Sequence, residues 1–204
     1  MATSAVRRPP GSRQRLVEAA SRLFSRQGYQ ATVVKQIATE GEAPMGSFYF
    51  HFPGGKEELG VAALRHGAEG FGDLLRSTLA AHESVDEALA AVPLVLAELL
   101  VRSEWVDGCP VATTALEVVD GSPLLRAAAA EAFQAWQDVI AERLVAGGLS
   151  TPAATGLATN ALALIEGAEM LARVQATTAP LQHAAAALRV LAGAAMEPAP
   201  DPPS

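Results

Sequence analysis

Ser47, Tyr49, His51 and Lys56 bring a hydroxyl, a phenol, an imidazole and an ammonium into ten residues, SFYFHFPGGK (47–56). Groups of this kind donate hydrogen bonds and charge to oxyanions such as phosphate. They do not compose a catalytic set. The four histidines, His51, His66, His82 and His183, are scattered, and no HExxH or cysteine-pair pattern occurs. Gly54-Gly55-Lys56 lacks the leading glycine and the following hydroxyl of a phosphate loop. Cys109 is the single cysteine; it has no evident histidine partner and cannot hold a zinc alone. No catalytic residue, no metal site and no cofactor is expected, and the chain is not read as an enzyme.

Other groups bracket the same window. Arg7 and Arg8 lie in an arm rich in proline and glycine, and Thr32 and Lys35 precede the window. Met45 and Gly46 stand at its leading edge. Residues 1–55 carry seven Lys or Arg against three Glu, whereas the other 149 residues carry eight basic against nineteen acidic side chains. A basic front on an acidic body is the footprint of a nucleic-acid contact.

The elements that must position these groups read as helices. Half of the residues are apolar, alanine and leucine dominate, and alternation with period two is rare. Residues 1–11 read as a flexible basic arm. Ser12 is a plausible first cap, followed by Leu16, Ala20, Leu23 and Phe24 at helical spacing, with Gly28 in the left-handed position beyond them. Thr32 is placed as the cap of a second helix with Val33, Val34, Ile37 and Ala38 on its apolar side. Pro44 opens a short third helix over about 44–50, which Pro53-Gly54-Gly55 breaks. Residues 12–55 thus form a helix-turn-helix unit. Four of the ten aromatics, Phe48, Tyr49, Phe50 and Phe52, lie too close together to share one helix face. Phe24, Ile37, Phe48, Phe52 and Leu59 are assigned to the core, and Tyr49 faces outward.

Residues 56–194 read as a helical body. A long helix opens near Lys56, Ser84 and Glu87 have capping-box spacing, and Pro93 interrupts the next apolar stripe. Further helices follow over about 112–119, from Ser122-Pro123, from Thr151-Pro152 and from about Pro180. Residues 195–204, EPAPDPPS at the end, read as a disordered tail. No run of eighteen apolar residues suggests a membrane span. The expectation is an all-α, cytoplasmic protein of about nine helices.

Docked on double-stranded DNA, the third helix enters the major groove. Gly46 and Ser47 permit close approach, Met45 and Ser47 reach base edges, and Tyr49, His51, Thr32, Lys35 and Lys56 reach phosphates. Arg7 and Arg8 reach an adjacent minor groove. Taken singly, Lys35 and Lys56 are ordinary solvated lysines, His51 a polar residue at the core edge and Thr32 a cap. In the body, Trp105, Cys109, Phe133, Trp136, Met170 and Gln175 are candidates for an effector pocket, and for Phe133, Trp136 and Met170 ordinary core is an equal reading. No pocket charge stands out, which favours a neutral or aromatic effector over an anion. The last two helices are nearly as apolar as a core. Leu157, Ala161, Leu164, Ala168, Leu171, Leu181, Ala185 and Leu188 are candidates for a homodimer interface.

Residues 13–59 resemble the N-terminal DNA-binding domain of TetR-family transcriptional regulators, through LVEAASRLFSRQGYQATVVKQIA, GSFYFHF and KEEL. APMGSFYFHFPGGKEEL and the later DGCPVA look like the LmrA/YxaF-type subgroup. The resemblance implies a nine-helix homodimer with an N-terminal DNA-binding domain, a central effector pocket and an interface from the last two helices. It places Thr32, Tyr49, His51 and Lys56 on DNA-contacting positions of the family pattern. Glu40-Gly41-Glu42-Ala43 replaces the family's Ala-Gly-Val turn, with a charge at Glu42. The function implied is a repressor released from a palindromic operator by a small lipophilic or aromatic effector. The alternative is a helical dimeric interaction module without specific DNA binding.

Overall fold

The computed structural model describes residues 11–118 and 121–196; Arg7, Arg8 and most of the arm and tail lie outside them. The described residues form nine α-helices and no strand. The front carries α1 (Ser12–Ala31), α2 (Val34–Glu40) and α3 (Met45–His51). The body carries α4 (Gly55–Ala80), α5 (Val85–Arg102), α6 (Pro110–Val118), α7 (Pro123–Ala146), α8 (Thr151–Gln175) and α9 (Ala179–Met196). The last helix therefore continues past residue 194 to Met196, further than the tail boundary expected.

Two apolar cores result. Phe24, Ile37, Phe48, Phe52 and Leu59 are all buried in the front core, as their spacing required. Leu59 and Ala63 come from α4, so that helix closes the front core before Leu64 and Leu75 enter the body core. In the body α5 packs on α9, and α7 packs on both α4 and α8. Trp136, Ile140 and Leu144 of α7 lie fully buried at its centre.

Several caps differ from expectation. Gly11 occupies the first N-cap, and Ser12 Oγ instead hydrogen-bonds His51 Nε2 at 2.9 Å. Gly28, with φ 82°, breaks the helical path inside α1, as a left-handed glycine should. Thr32 caps the end of α1, and Val33 takes the cap of α2. Ser84 sits at the cap of α5, but its side chain makes no cap bond. Ser122 does cap α7, accepting from Leu125 N at 3.1 Å.

Candidate nucleic-acid interface and effector cavity

The turn between α2 and α3 is held from α1. Arg15 Nε donates to Gly41 O at 2.9 Å and its Nη2 to Glu42 O at 3.0 Å. Glu42 itself adopts φ 47°, a left-handed position that non-glycine residues occupy at a cost. Charge-assisted donors on two successive carbonyls stabilise that turn and set the angle of α3. Arg15 carries no motif visible along the chain, which is why spacing alone did not select it.

On α3 the side chains divide by face. Phe48 is 1% exposed, whereas Tyr49 is 62% and Phe50 80% exposed. Phe48 supports Tyr49 edge-on, with ring centroids 5.0 Å apart. Met45 and Gly46 are exposed, Ser47 is half-buried, and a Cβ built on Gly46 would meet open space. Lys35 is exposed on the neighbouring α2. These residues form one outward polar and aromatic surface, the shape and chemistry of a groove-reading element.

Two expected phosphate contacts are engaged inside the fold instead. Thr32 is fully buried; its hydroxyl donates to Gly28 O at 2.6 Å and accepts from Gln27 Nε2 at 3.2 Å. Lys56 Nζ donates to Tyr29 O at 2.6 Å and lies 4.2 Å from the centre of the Tyr29 ring. Burial lowers its pKa from the usual lysine value. Both groups tie the end of α1, where carbonyls lack intrahelical partners and attract donors. His51 is half-buried against Ser12.

The body contains two cavities that share a wall. The first, about 410 Å³, lies among α4, α5 and α8 and is lined by His66, Phe71, Leu74, Leu96, Leu99 and Leu100. The second, about 790 Å³, is lined by Trp105, Ala112, Leu116, Phe133, Met170 and Val174. Gly108, Cys109, Glu166 and Glu169 line both. Trp105, Cys109, Phe133 and Met170 thus line one cavity. Trp136 does not join them: it is core, with Nε1 donating to Ala68 O at 2.9 Å and Phe71 and Phe133 packed edge-on against it. Gln175 lies outside both, on a groove between α8 and α9.

The expectation of an uncharged pocket is overturned by Glu166 and Glu169. Burial pushes the Glu166 carboxyl up to about 7. Burial, then repulsion from Glu166, pushes Glu169 up to about 8, against partial relief from Arg173. The Cys109 thiol is likewise raised by burial, so it is not a ready thiolate. The two glutamates were hidden in the sequence because an i, i+3 acidic pair on a helix ordinarily reads as solvated.

The cavity wall is wired to the front. Arg173 Nη2 donates to Arg26 O at 2.9 Å and to Val106 O at 2.6 Å. Gly108 N donates to Ser25 O at 3.2 Å, and Gln30 N donates to Glu117 Oε2 at 2.8 Å. Arg26 pairs with Asp107 at 2.7 Å.

The interface stripe expected on α8 and α9 faces mostly inward. Leu157, Ala161, Ala168, Leu181, Ala185 and Leu188 are buried within the protomer, and Leu164 is half-buried. Only Leu171 among them is exposed. The outward face instead carries Ala163, Leu171, Val174, Ala187, Val190 and Leu191. Both faces of these helices are apolar, so spacing alone does not say which face packs on the protomer's own core.

Residues 16–63 match the family model described as bacterial regulatory proteins, tetR family. Residues 86–187 match the model for the transcriptional regulator LmrA/YxaF-like C-terminal domain. The chain is 36% identical over 172 residues to the HTH-type transcriptional regulator LmrA of Bacillus subtilis (strain 168), covering 84% of this chain and 92% of that protein. A more distant relative, the HTH-type transcriptional repressor DhaR of Mycobacterium sp. (strain GP1), is 29% identical over 178 residues, covering 84% and 87%. The crystal structure of regulatory protein TetR from Rhodobacter sphaeroides superposes with a TM-score of 0.78 at 23% identity, covering 88% of this chain and 98% of that one. This last likeness bears on the fold alone.

Proposed function

Because the chain belongs to the TetR family of bacterial transcriptional regulators, with an LmrA/YxaF-like C-terminal domain, we propose that it is a repressor that a small molecule releases from a palindromic operator. It is a DNA-binding transcriptional regulator and not an enzyme. The repressor role takes support from the name of the DhaR relative. No helix among the described residues is long and apolar enough to cross a membrane, which suits action on DNA in the cytoplasm.

The observation that carries the ligand response is the wiring of the cavity to α1. Arg173 and Gly108 line the larger cavity, and both hydrogen-bond carbonyls of α1. α1 in turn packs on α3 and, through Arg15, holds the turn that aims it. A ligand that shifts this wall favours a different α1 position and thereby a different α3 spacing. DNA must weaken the ligand by the same factor as the ligand weakens DNA.

The active species in this reading is a homodimer joined through the outward faces of α8 and α9. Val174 is 81% and Val190 70% exposed, an apolar surface that a second copy would cover. Twofold symmetry then presents two α3 helices to half-sites about 34–36 Å apart. Tyr49, His51 and Lys35 supply phosphate contacts, and Met45, Gly46 and Ser47 approach the bases.

Selection from random duplex pools tests the whole reading. A palindromic consensus is expected, and the selected duplex becomes the probe for ligand release. Tyr49→Ala should lower affinity for all duplexes about tenfold without lowering Tm. Selection of no sequence by the folded protein would favour an interaction module without specific DNA binding.

A further inference from the structure

Glu166 and Glu169 stand one turn apart on α8 in the wall common to both cavities. Glu166 Oε1 is buried and has no hydrogen-bond partner. A carboxylate oxygen removed from water without a donor is costly, and a site that retains one is built for something that is not part of the chain.

The charged neighbours do not meet this need. Arg173, the cation nearest in sequence, directs Nη2 to the carbonyls of Arg26 and Val106. Asp107 is paired with Arg26, and Glu117 accepts from Gln30 N. His66 faces the smaller cavity, and the Cys109 thiol is kept neutral by burial. Burial holds protons on the carboxyls into the neutral range, against partial relief from Cys109 at Glu166 and from Arg173 at Glu169.

Apart from the hydroxyls of Ser21 and Thr113, the remaining lining is apolar and aromatic, with Phe71 in one cavity and Trp105 and Phe133 in the other. Aromatic faces attract organic cations, and anionic carboxylates do so more strongly. We infer that the effector is a lipophilic organic cation, its ammonium centre seated at Glu166 and Glu169 and its apolar body in the cavity beside Trp105 and Phe133. The inference rests on the reading of this cavity as the effector site and adds the chemical class of the ligand. Binding holds both glutamates as carboxylates. Protons therefore leave as the cation enters, and affinity rises with pH through the neutral range.

The test uses one aromatic body with three heads: naphthylmethyl-trimethylammonium, naphthylmethanol and naphthylacetate. Binding to the full chain is measured by calorimetry, and release of the selected duplex is measured separately. The ammonium should bind about tenfold or more tightly than the alcohol or the carboxylate. Its affinity should increase about a hundredfold or more between about pH 6 and about pH 8.5. Glu166→Gln together with Glu169→Gln should abolish the preference for the ammonium, so that it binds no more tightly than the alcohol. Glu166→Gln alone should reduce the preference, with Tm as the control for folding. Equal binding of the three heads, binding of none, or an unchanged preference in the double variant overturns the inference. Tight ammonium binding without duplex release upholds the cation site and overturns the effector reading. Release by the alcohol as efficient as by the ammonium does the reverse.

Discussion

The front unit and the body handle their functional groups in opposite ways. In the front, Phe24, Phe48 and Phe52 fill a small core, while Tyr49 and Phe50 on the same short helix project into solvent. Within α3 the core packing falls to Phe48 and the exposed surface to Tyr49 and Phe50. In the body, Glu166 and Glu169 are half-buried in the cavity wall, and the partial loss of water around their carboxyls opposes folding. A surface that reads a polymer can stay hydrated until it docks. A pocket that encloses a small ligand must remove its polar groups from water beforehand.

Four variants would break or sharpen that contrast. The largest effect is expected at Phe48→Ala, which should cost about 3–5 kcal/mol in denaturant titration because it empties the centre of the smaller core. A loss comparable to that of an exposed residue would show that the front core does not depend on Phe48.

The glutamate pair comes next, with the opposite sign. An unfolded glutamate titrates near 4.5, whereas the folded carboxyls titrate near 7 and 8. The folded state therefore holds extra protons between those values, and stability falls as pH rises from 4.5 towards 8. Replacing both residues by glutamine should raise stability by a few kcal/mol at about pH 8.5 and by much less at about pH 5. Equal gains at both pH values would mean that charge burial is not the cause.

Lys56→Ala separates the two roles considered for this lysine. The bond to Tyr29 O predicts a stability loss of about 1–2 kcal/mol. It also predicts an unchanged salt dependence of DNA affinity, whereas loss of a phosphate contact would reduce that slope by about one. The smallest stability effect is expected at Gly46→Ala, where open space receives the methyl group and the helix gains about 0.5–1 kcal/mol. DNA affinity should nevertheless fall about tenfold if α3 approaches the groove at Gly46. Unchanged affinity would move the closest approach elsewhere on α3.

Much of the front was legible in the chain because its signals are local. Gly28 announces a left-handed break, Pro53-Gly54-Gly55 ends α3, and aromatics packed more tightly than 3.6 residues per turn must point in different directions. Helix existence in the body was equally legible from apolar spacing. The facing of α8 and α9 was not, since alanine and glycine on both sides leave no moment to tell core from interface. Thr32 and Lys56 lie on the family pattern, yet local sequence does not state whether a hydroxyl or an ammonium points outward or onto a helix end.

What the sequence alone determined is the all-helical class, the helix-turn-helix and the division of α3 into buried and exposed aromatics. Each depends on contacts between residues a few positions apart. Tertiary structure alone decided that Arg15 holds the turn, that Arg173 joins the cavity to α1, and that two glutamates line a cavity rather than an open helix face. Those facts depend on residues as far apart as Arg26 and Arg173. Burial belongs to the packed assembly of helices, and no spacing within a single helix encodes it.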